Sequence, residues 1–161
     1  MSERVALYPG SFDPPTRGHL DILQRALSLF DRVVILVAAH GKAGWLAADE
    51  RADLWRACLD DPARCPVETF DGLLVDQVRD RGACAVVRGL RSAWDYEHEW
   101  SLHGVNSTLL PGFETVWLPA RPDLAAVSSS LVRDVARHGG DLADLVPAPV
   151  ARALQGRTPG R

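Results

Sequence analysis

Lysine is almost missing from this sequence. Of its 18 basic residues, 17 are arginine and Lys42 is the single lysine. A compact, mobile ammonium and a planar guanidinium are not interchangeable, so a lone lysine among arginines marks a position to watch. Basic excess is missing too. The formal net charge is -3, which argues against a nucleic-acid coat or a membrane-surface binder, both of which need a surplus of positive charge. The longest unbroken apolar run, Val33 to Ala39, is far short of a membrane span. Met1-Ser2-Glu3-Arg4 leads straight into a strand-like stretch and carries no secretory h-region. Cys58, Cys65 and Cys84 form neither a CxxC pair nor an even framework. A reduced, cytoplasmic protein is expected. Walker A, GxGxxG and nucleophile-elbow motifs are all lacking, which removes the commonest phosphate-loop and acyl-transfer signatures.

What is present suffices for one ordinary domain. A chain of 161 residues with 47% hydrophobic composition buries roughly two-thirds of its unfolded surface and builds a core without staples. The expected domain spans 1–156, with 157–161 as a flexible tail. Charged residues make up 24%, close to the average for soluble domains, so disorder is not expected.

Strand and helix patterns alternate along the chain. Strands are predicted at Arg4 to Tyr8, Val33 to Ala39, Pro66 to Phe70, Ala83 to Val87 and Thr115 to Leu118. Helices are predicted from Thr16, with Leu20, Leu23, Leu27 and Phe30 on one face, and from Asp49-Glu50. Others follow from Leu73 to Arg81, from Ala93 to about Leu110 as an amphipathic helix, from Ser128 to His138 and near Pro147 to Leu154. Five such alternations predict an α/β fold, a Rossmann-like five-stranded parallel sheet with helices on both faces. Ligands then bind outside the carboxyl ends of the strands, near the point where the strand order reverses.

The unusual residues fall in the loops at that end. The first loop runs from Tyr8 to His19, with Pro9-Gly10 closing the strand and Gly10 placed for close backbone approach. With Thr16 as N-cap, His19 occupies the third helical position, where free N–H groups and the positive dipole end favour a phosphate. Simple packing at a helix start is the competing reading for one histidine; the glycine-rich approach and the TxGH spacing favour the phosphate. Arg88-Gly89-Leu90-Arg91 at the end of the fourth strand forms an anion clamp or, alternatively, a pair of solvated arginines. Downstream, Asp95 and Glu99 are either solvated or buttress those arginines. Ser128, Ser129 and Ser130 offer three hydroxyls at a helix start, where ordinary capping needs only one. Lys42 follows the second strand and is placed to reach the same crevice. His40, His98, His103 and His138 share no metal-ligand spacing, and the five tryptophans are read as core or subunit contact.

TxGH after a first strand and VSSSxxR opening a late helix resemble the nucleotidylyltransferase superfamily. The narrower set, YPGSFDPxTxGH, Lys42, RGLRxxxDxExE and SSSLV, resembles the bacterial phosphopantetheine adenylyltransferases over nearly the whole chain. That resemblance implies transfer of the adenylyl group of ATP to 4′-phosphopantetheine, giving dephospho-coenzyme A and pyrophosphate without a covalent enzyme intermediate. It implies that Ser11, Lys42, Leu74 and Arg88 contact phosphopantetheine. It also implies that Ser11, Phe12, His19, Gly89, Leu90, Arg91, Glu99, Leu124, Ala125, Ala126, Val127, Ser128, Ser129 and Ser130 contact ATP, with His19 stabilising the transition state. Mg2+ carried mainly by ATP, a homohexamer and inhibition by coenzyme A are implied as well. Another small-molecule adenylyl- or cytidylyltransferase and a non-catalytic ATP-binding regulator are the alternatives.

Overall fold

The structure is a computed structural model and describes residues 3–39 and 44–157. Strands β1 (Val5–Gly10), β2 (Arg32–Ala38), β3 (Val67–Phe70), β4 (Ala85–Leu90) and β5 (Thr115–Pro119) form one sheet in the order β3-β2-β1-β4-β5. Each strand pairs with its neighbours in parallel. Helices α1 (Arg17–Ala26), α2 (Ala48–Arg56), α3 (Leu74–Arg81), α4 (Ala93–Leu109), α5 (Ser129–Arg137) and α6 (Ala148–Leu154) connect and cover it. The expected α/β architecture is therefore the observed one.

The central strands are apolar on both faces, as a doubly covered parallel sheet requires. Along β1 and β2 the side chains divide by the strand period of two. Ala6, Tyr8, Val33, Ile35 and Val37 pack with Ile22, Leu23 and Trp55 on one face, and Leu7, Val34 and Leu36 pack with Val75 and Val78 on the other. A third cluster, including Leu46, Val132, Val146 and Val150, fastens α5 and α6 beside the sheet.

The chain builds outward from β1 through β2 to β3, then returns to the other side of β1 for β4 and β5, so the order reverses between β1 and β4. The β1–β2 ladder runs from Val5 to Gly10, whereas β1 meets β4 only at Ala6 with Ala85 and Leu7 with Val86. Both strands continue past that point, to Gly10 and Leu90. They part there, and the gap between their carboxyl ends is the crevice in which the ligand-end loops gather.

Several boundaries differ from the sequence expectation, and α1 ends at Ala26, so Leu27 and Phe30 lie beyond the helix expected to carry them. β1 includes Pro9 and Gly10, which stay in register with Leu36 and Val37. β4 runs to Leu90, so Arg88 and Gly89 are strand residues opposite Trp117 and Leu118 rather than residues just past the strand. The amphipathic reading of α4 needs correction. Its one fully buried residue is Glu99, while Trp94 is 81% exposed and Trp100 and Val105 also face outward. Glu99 is the inward residue because Arg88 holds its carboxylate. Arg157, expected in the tail, donates to Glu50 at 2.9 Å; 158–161 lie outside the described residues. Among the described residues no helix is long and apolar enough to cross a membrane.

Candidate active site

The loop after β1 is held by its own side chains. Thr16 caps α1 in extended backbone conformation, and its hydroxyl accepts from the His19 N–H at 3.3 Å. In return the Thr16 N–H donates to His19 Nδ1 at 3.0 Å. This is a capping box with histidine in place of the usual Glu or Gln. An Nδ1 that accepts a backbone N–H leaves the ring proton on Nε2, so the imidazole is a donor through Nε2. Loss of surrounding water, then the charges of Arg91 and Arg88, push the His19 pKa down to about 4. His19 is thus neutral at working pH.

Phe12 occupies the left-handed region at φ 48, and its ring packs edge-on against Tyr8, His19 and Trp55. Gly10 is required by that ring. A Cβ there would meet Phe12 Cζ at 2.7 Å, so the absent side chain makes room for Phe12 rather than for a ligand. Phe12 is itself buried and offers a ligand little beyond its backbone.

At the end of β4, Arg88 makes a fork onto Glu99. Nε lies 2.9 Å from each carboxylate oxygen and Nη2 lies 2.5 Å from Oε1, while Nη1 donates to the Pro9 carbonyl at 2.7 Å. Three of the five guanidinium N–H groups are thereby used and two remain. Arg91 pairs with Asp95 through Nε at 3.2 Å, and its backbone N–H donates to the same carboxylate at 2.9 Å. Burial opposes ionisation of Asp95, but these Arg91 hydrogen bonds outweigh it and the pKa is lowered. The buttressing reading of Asp95 and Glu99 is the observed geometry: one face of α4 supplies a carboxylate to each arginine of RGLR.

The three serines at the start of α5 act separately. Ser128 caps, accepting from the Leu131 N–H at 3.1 Å. Ser129 donates to the Pro14 carbonyl at 2.8 Å, and Ser130 accepts from Arg133 Nη2 at 3.2 Å.

These parts enclose two adjoining clefts. The first, of about 450 Å³, lies between the N-termini of α1 and α5. It is lined by Ser11, Phe12, His19, Gly89, Arg91, Glu99, Leu124, Val127, Ser128, Ser129 and Ser130, all residues singled out from the sequence. Leu90, Ala125 and Ala126 do not line it. The second, of about 370 Å³, is more apolar, with Phe70, Leu73, Leu74, Leu102 and Phe113 in its wall. Pro9, Gly10, Ser11, Arg88 and Glu99 line both and form the shared wall. Lys42 lies outside the described residues. Two helix N-termini facing one cleft, with a neutral imidazole donor and two arginines, suit anionic oxygens. Among the described residues no group of three His, Cys, Asp or Glu side chains could hold a metal ion. Asp95 and Glu99 are already engaged by arginine, so this donor set fits a cation that arrives bound to a ligand's oxygens.

Sequence reasoning missed the residues that tie the loops together. The Asp13 carboxylate accepts from the Trp45 and Leu46 N–H groups at 2.7 and 2.9 Å. Arg51 is buried and donates to the Ser11 carbonyl and, at 3.1 Å, to the Leu46 carbonyl. Arg133 donates to the Asp13 carbonyl at 2.5 Å. No periodicity announces such links, since each joins segments far apart in sequence. Tyr8 and His98, given no role from the sequence, also line the first cleft.

Residues 7–135 match the family model for cytidylyltransferase-like proteins. The phosphopantetheine adenylyltransferase of Anaeromyxobacter sp. (strain K) is 49% identical over 160 residues, covering 97% of this chain and 98% of that one. The phosphopantetheine adenylyltransferase of Alkalilimnicola ehrlichii is 49% identical over 159 residues, with 97% and 91% covered. Among solved structures, a bifunctional NMN adenylyltransferase/ADP ribose pyrophosphatase from Francisella tularensis superposes with a TM-score of 0.73 at 14% identity, covering 96% of this chain and 48% of that one. A putative nicotinate-nucleotide adenylyltransferase from Vibrio parahaemolyticus superposes at 0.67 and 18% identity, covering 95% and 91%; at such identities both speak to the fold alone. With a matching family model over most of its length and relatives near half identity end to end, the chain belongs to the phosphopantetheine adenylyltransferase family.

Proposed function

We propose that the two clefts bring ATP and 4′-phosphopantetheine together across the shared wall and that the adenylyl group passes between them in line. The observation that carries this is the pairing of clefts. One is polar and framed by two helix N-termini, the other apolar, and they meet at Ser11, Arg88 and Glu99. ATP takes the first cleft, its phosphates at His19, Arg91 and Ser128 to Ser130. The pantetheine arm takes the second, along Leu74, with its phosphate toward Arg88, Ser11 and Lys42. A phosphate oxygen of the acceptor attacks the α-phosphorus, the α–β bridging bond breaks, and its electron pair leaves with pyrophosphate. No protein nucleophile is needed; catalysis rests on positioning and charge stabilisation.

His19 donates from Nε2 to a non-bridging oxygen of the α-phosphate, where charge gathers in the transition state. Arg88 and Arg91 carry carboxylate partners, so they act through directed N–H groups more than through net charge. Mg2+ bound to ATP, when present, neutralises the departing phosphates. A single domain over 1–156 is part of this reading. The exposed apolar face of α4, with Trp94, Trp100 and Val105, supports self-association, for which a homohexamer is the proposed state. Pyrophosphate release with ATP, Mg2+ and 4′-phosphopantetheine tests the reaction. ATP binding without release would leave a regulator instead.

A further inference from the structure

Tyr8 stands on β1 and is 4% exposed, yet it lines the first cleft. Its ring packs edge-on with Phe12 at 5.2 Å and Trp55 at 6.2 Å between centroids. Those contacts engage only the ring, and phenylalanine would make them equally well. Among the described residues, the phenol oxygen has no hydrogen-bond partner. The oxygen is not among the buried polar atoms left without a partner, so on a residue otherwise packed into the core it stays open to the cleft that Tyr8 lines.

The cleft that Tyr8 lines also holds donors: His19 through Nε2, Arg88 and Arg91, and the opening turns of α1 and α5. From these observations we infer that the Tyr8 hydroxyl is a further ligand-binding group of the cleft, donating to a phosphoryl oxygen of the bound nucleotide. Burial, opposed by the Arg88 charge and reinforced by Asp21, raises the phenol pKa above its ordinary value. The proton stays in place at working pH, and the group is a neutral donor. With the Asp95 and Glu99 carboxylates engaged by Arg91 and Arg88, a cleft rich in donors, one of them idle in the free protein, is complementary to a ligand that brings acceptors.

The inference rests on the first cleft being the nucleotide site, and the experiment separates the two. Wild-type protein and Tyr8→Phe are titrated calorimetrically with ATP and with adenosine, which lacks phosphates, and both are melted without ligand. Tyr8→Phe is expected to weaken ATP binding roughly 10- to 100-fold, the loss for one hydrogen bond to a charged acceptor. Adenosine binding stays unchanged, and the melting temperature is unchanged because the hydroxyl meets only the open cleft. Unaltered ATP affinity would make Tyr8 a packing residue and overturn the inference. A lower melting temperature with equal weakening of both ligands would show that the hydroxyl serves the fold, and would overturn it too. If the wild type binds ATP but releases no pyrophosphate with 4′-phosphopantetheine, the reaction is wrong while the Tyr8 comparison stands. A wild type that does not bind ATP refutes both.

Discussion

Replacing His19 by alanine should separate chemistry from binding and reverse sign with pH in its effect on stability. The Nε2 donor is fixed by the Thr16 N–H on Nδ1, so its loss removes one preorganised contact to the α-phosphoryl oxygens. One such donor is worth about 3–4 kcal/mol in the transition state, or about 10²–10³ in kcat. ATP affinity should fall much less, because a contact that strengthens only in the transition state leaves ground-state binding nearly intact. The same substitution strands the Thr16 N–H in a residue only 1% exposed, at a cost of about 1 kcal/mol near neutral pH. At low pH the balance reverses. The His19 pKa falls from 6.5 in the unfolded chain to about 4 in the folded one. Between those values the unfolded chain binds a proton that the folded chain does not, so stability declines as pH drops through that window. At pH 4.5 that penalty is about 2.5 kcal/mol, larger than the lost cap, and His19→Ala removes it. The variant should therefore be less stable than wild type at pH 7.5 and more stable at pH 4.5. Urea melts at the two pH values, with kcat and the ATP affinity at neutral pH, make the assay. Near-normal turnover, or a stability difference that ignores pH, would refute the reasoning.

Glu99→Gln should lower stability by about 1–3 kcal/mol, since Arg88 keeps its partly buried charge and loses its counter-ion; the phosphopantetheine KM should change with it, and denaturant melts and steady-state kinetics check both. Gly10→Ala should cost about 1–3 kcal/mol by forcing the Phe12 ring aside, with activity falling as the loop before His19 shifts. Lys42→Ala should weaken phosphopantetheine binding far more than ATP binding, and Lys42→Arg should recover it only partly; equal losses in calorimetry would remove Lys42 from the acceptor site.

The order of elements was legible because strong periodic signals stood between clear stops, as at Gly82, which ends α3 in the left-handed conformation. The cap at Thr16 and the seat of His19 were legible for the same reason: a single local rule governs both. Arg88 and Gly89 fell just past the expected strand, which stopped at Val87, because a polar residue and a glycine weaken a strand signal. Pairing with β5 overrides that signal, and the carboxyl end of a ligand-binding strand is where polar residues belong. The outward face of α4 was only half legible, since the tryptophans read equally as core or as subunit contact, and the inward seat of Glu99 depends on Arg88, a tertiary partner without local pattern. Asp13 and Arg51 gave no signal, because what they do is join the chain near Ser11 to that near Leu46, a tertiary fact without local pattern.

The most direct measurement is pyrophosphate release by the wild-type protein supplied with ATP and Mg2+ and, in parallel, with 4′-phosphopantetheine, nicotinamide mononucleotide or no acceptor. Release that needs 4′-phosphopantetheine and matches dephospho-coenzyme A formed one for one is the expected result. Faster release with nicotinamide mononucleotide, or none with 4′-phosphopantetheine, would contradict it.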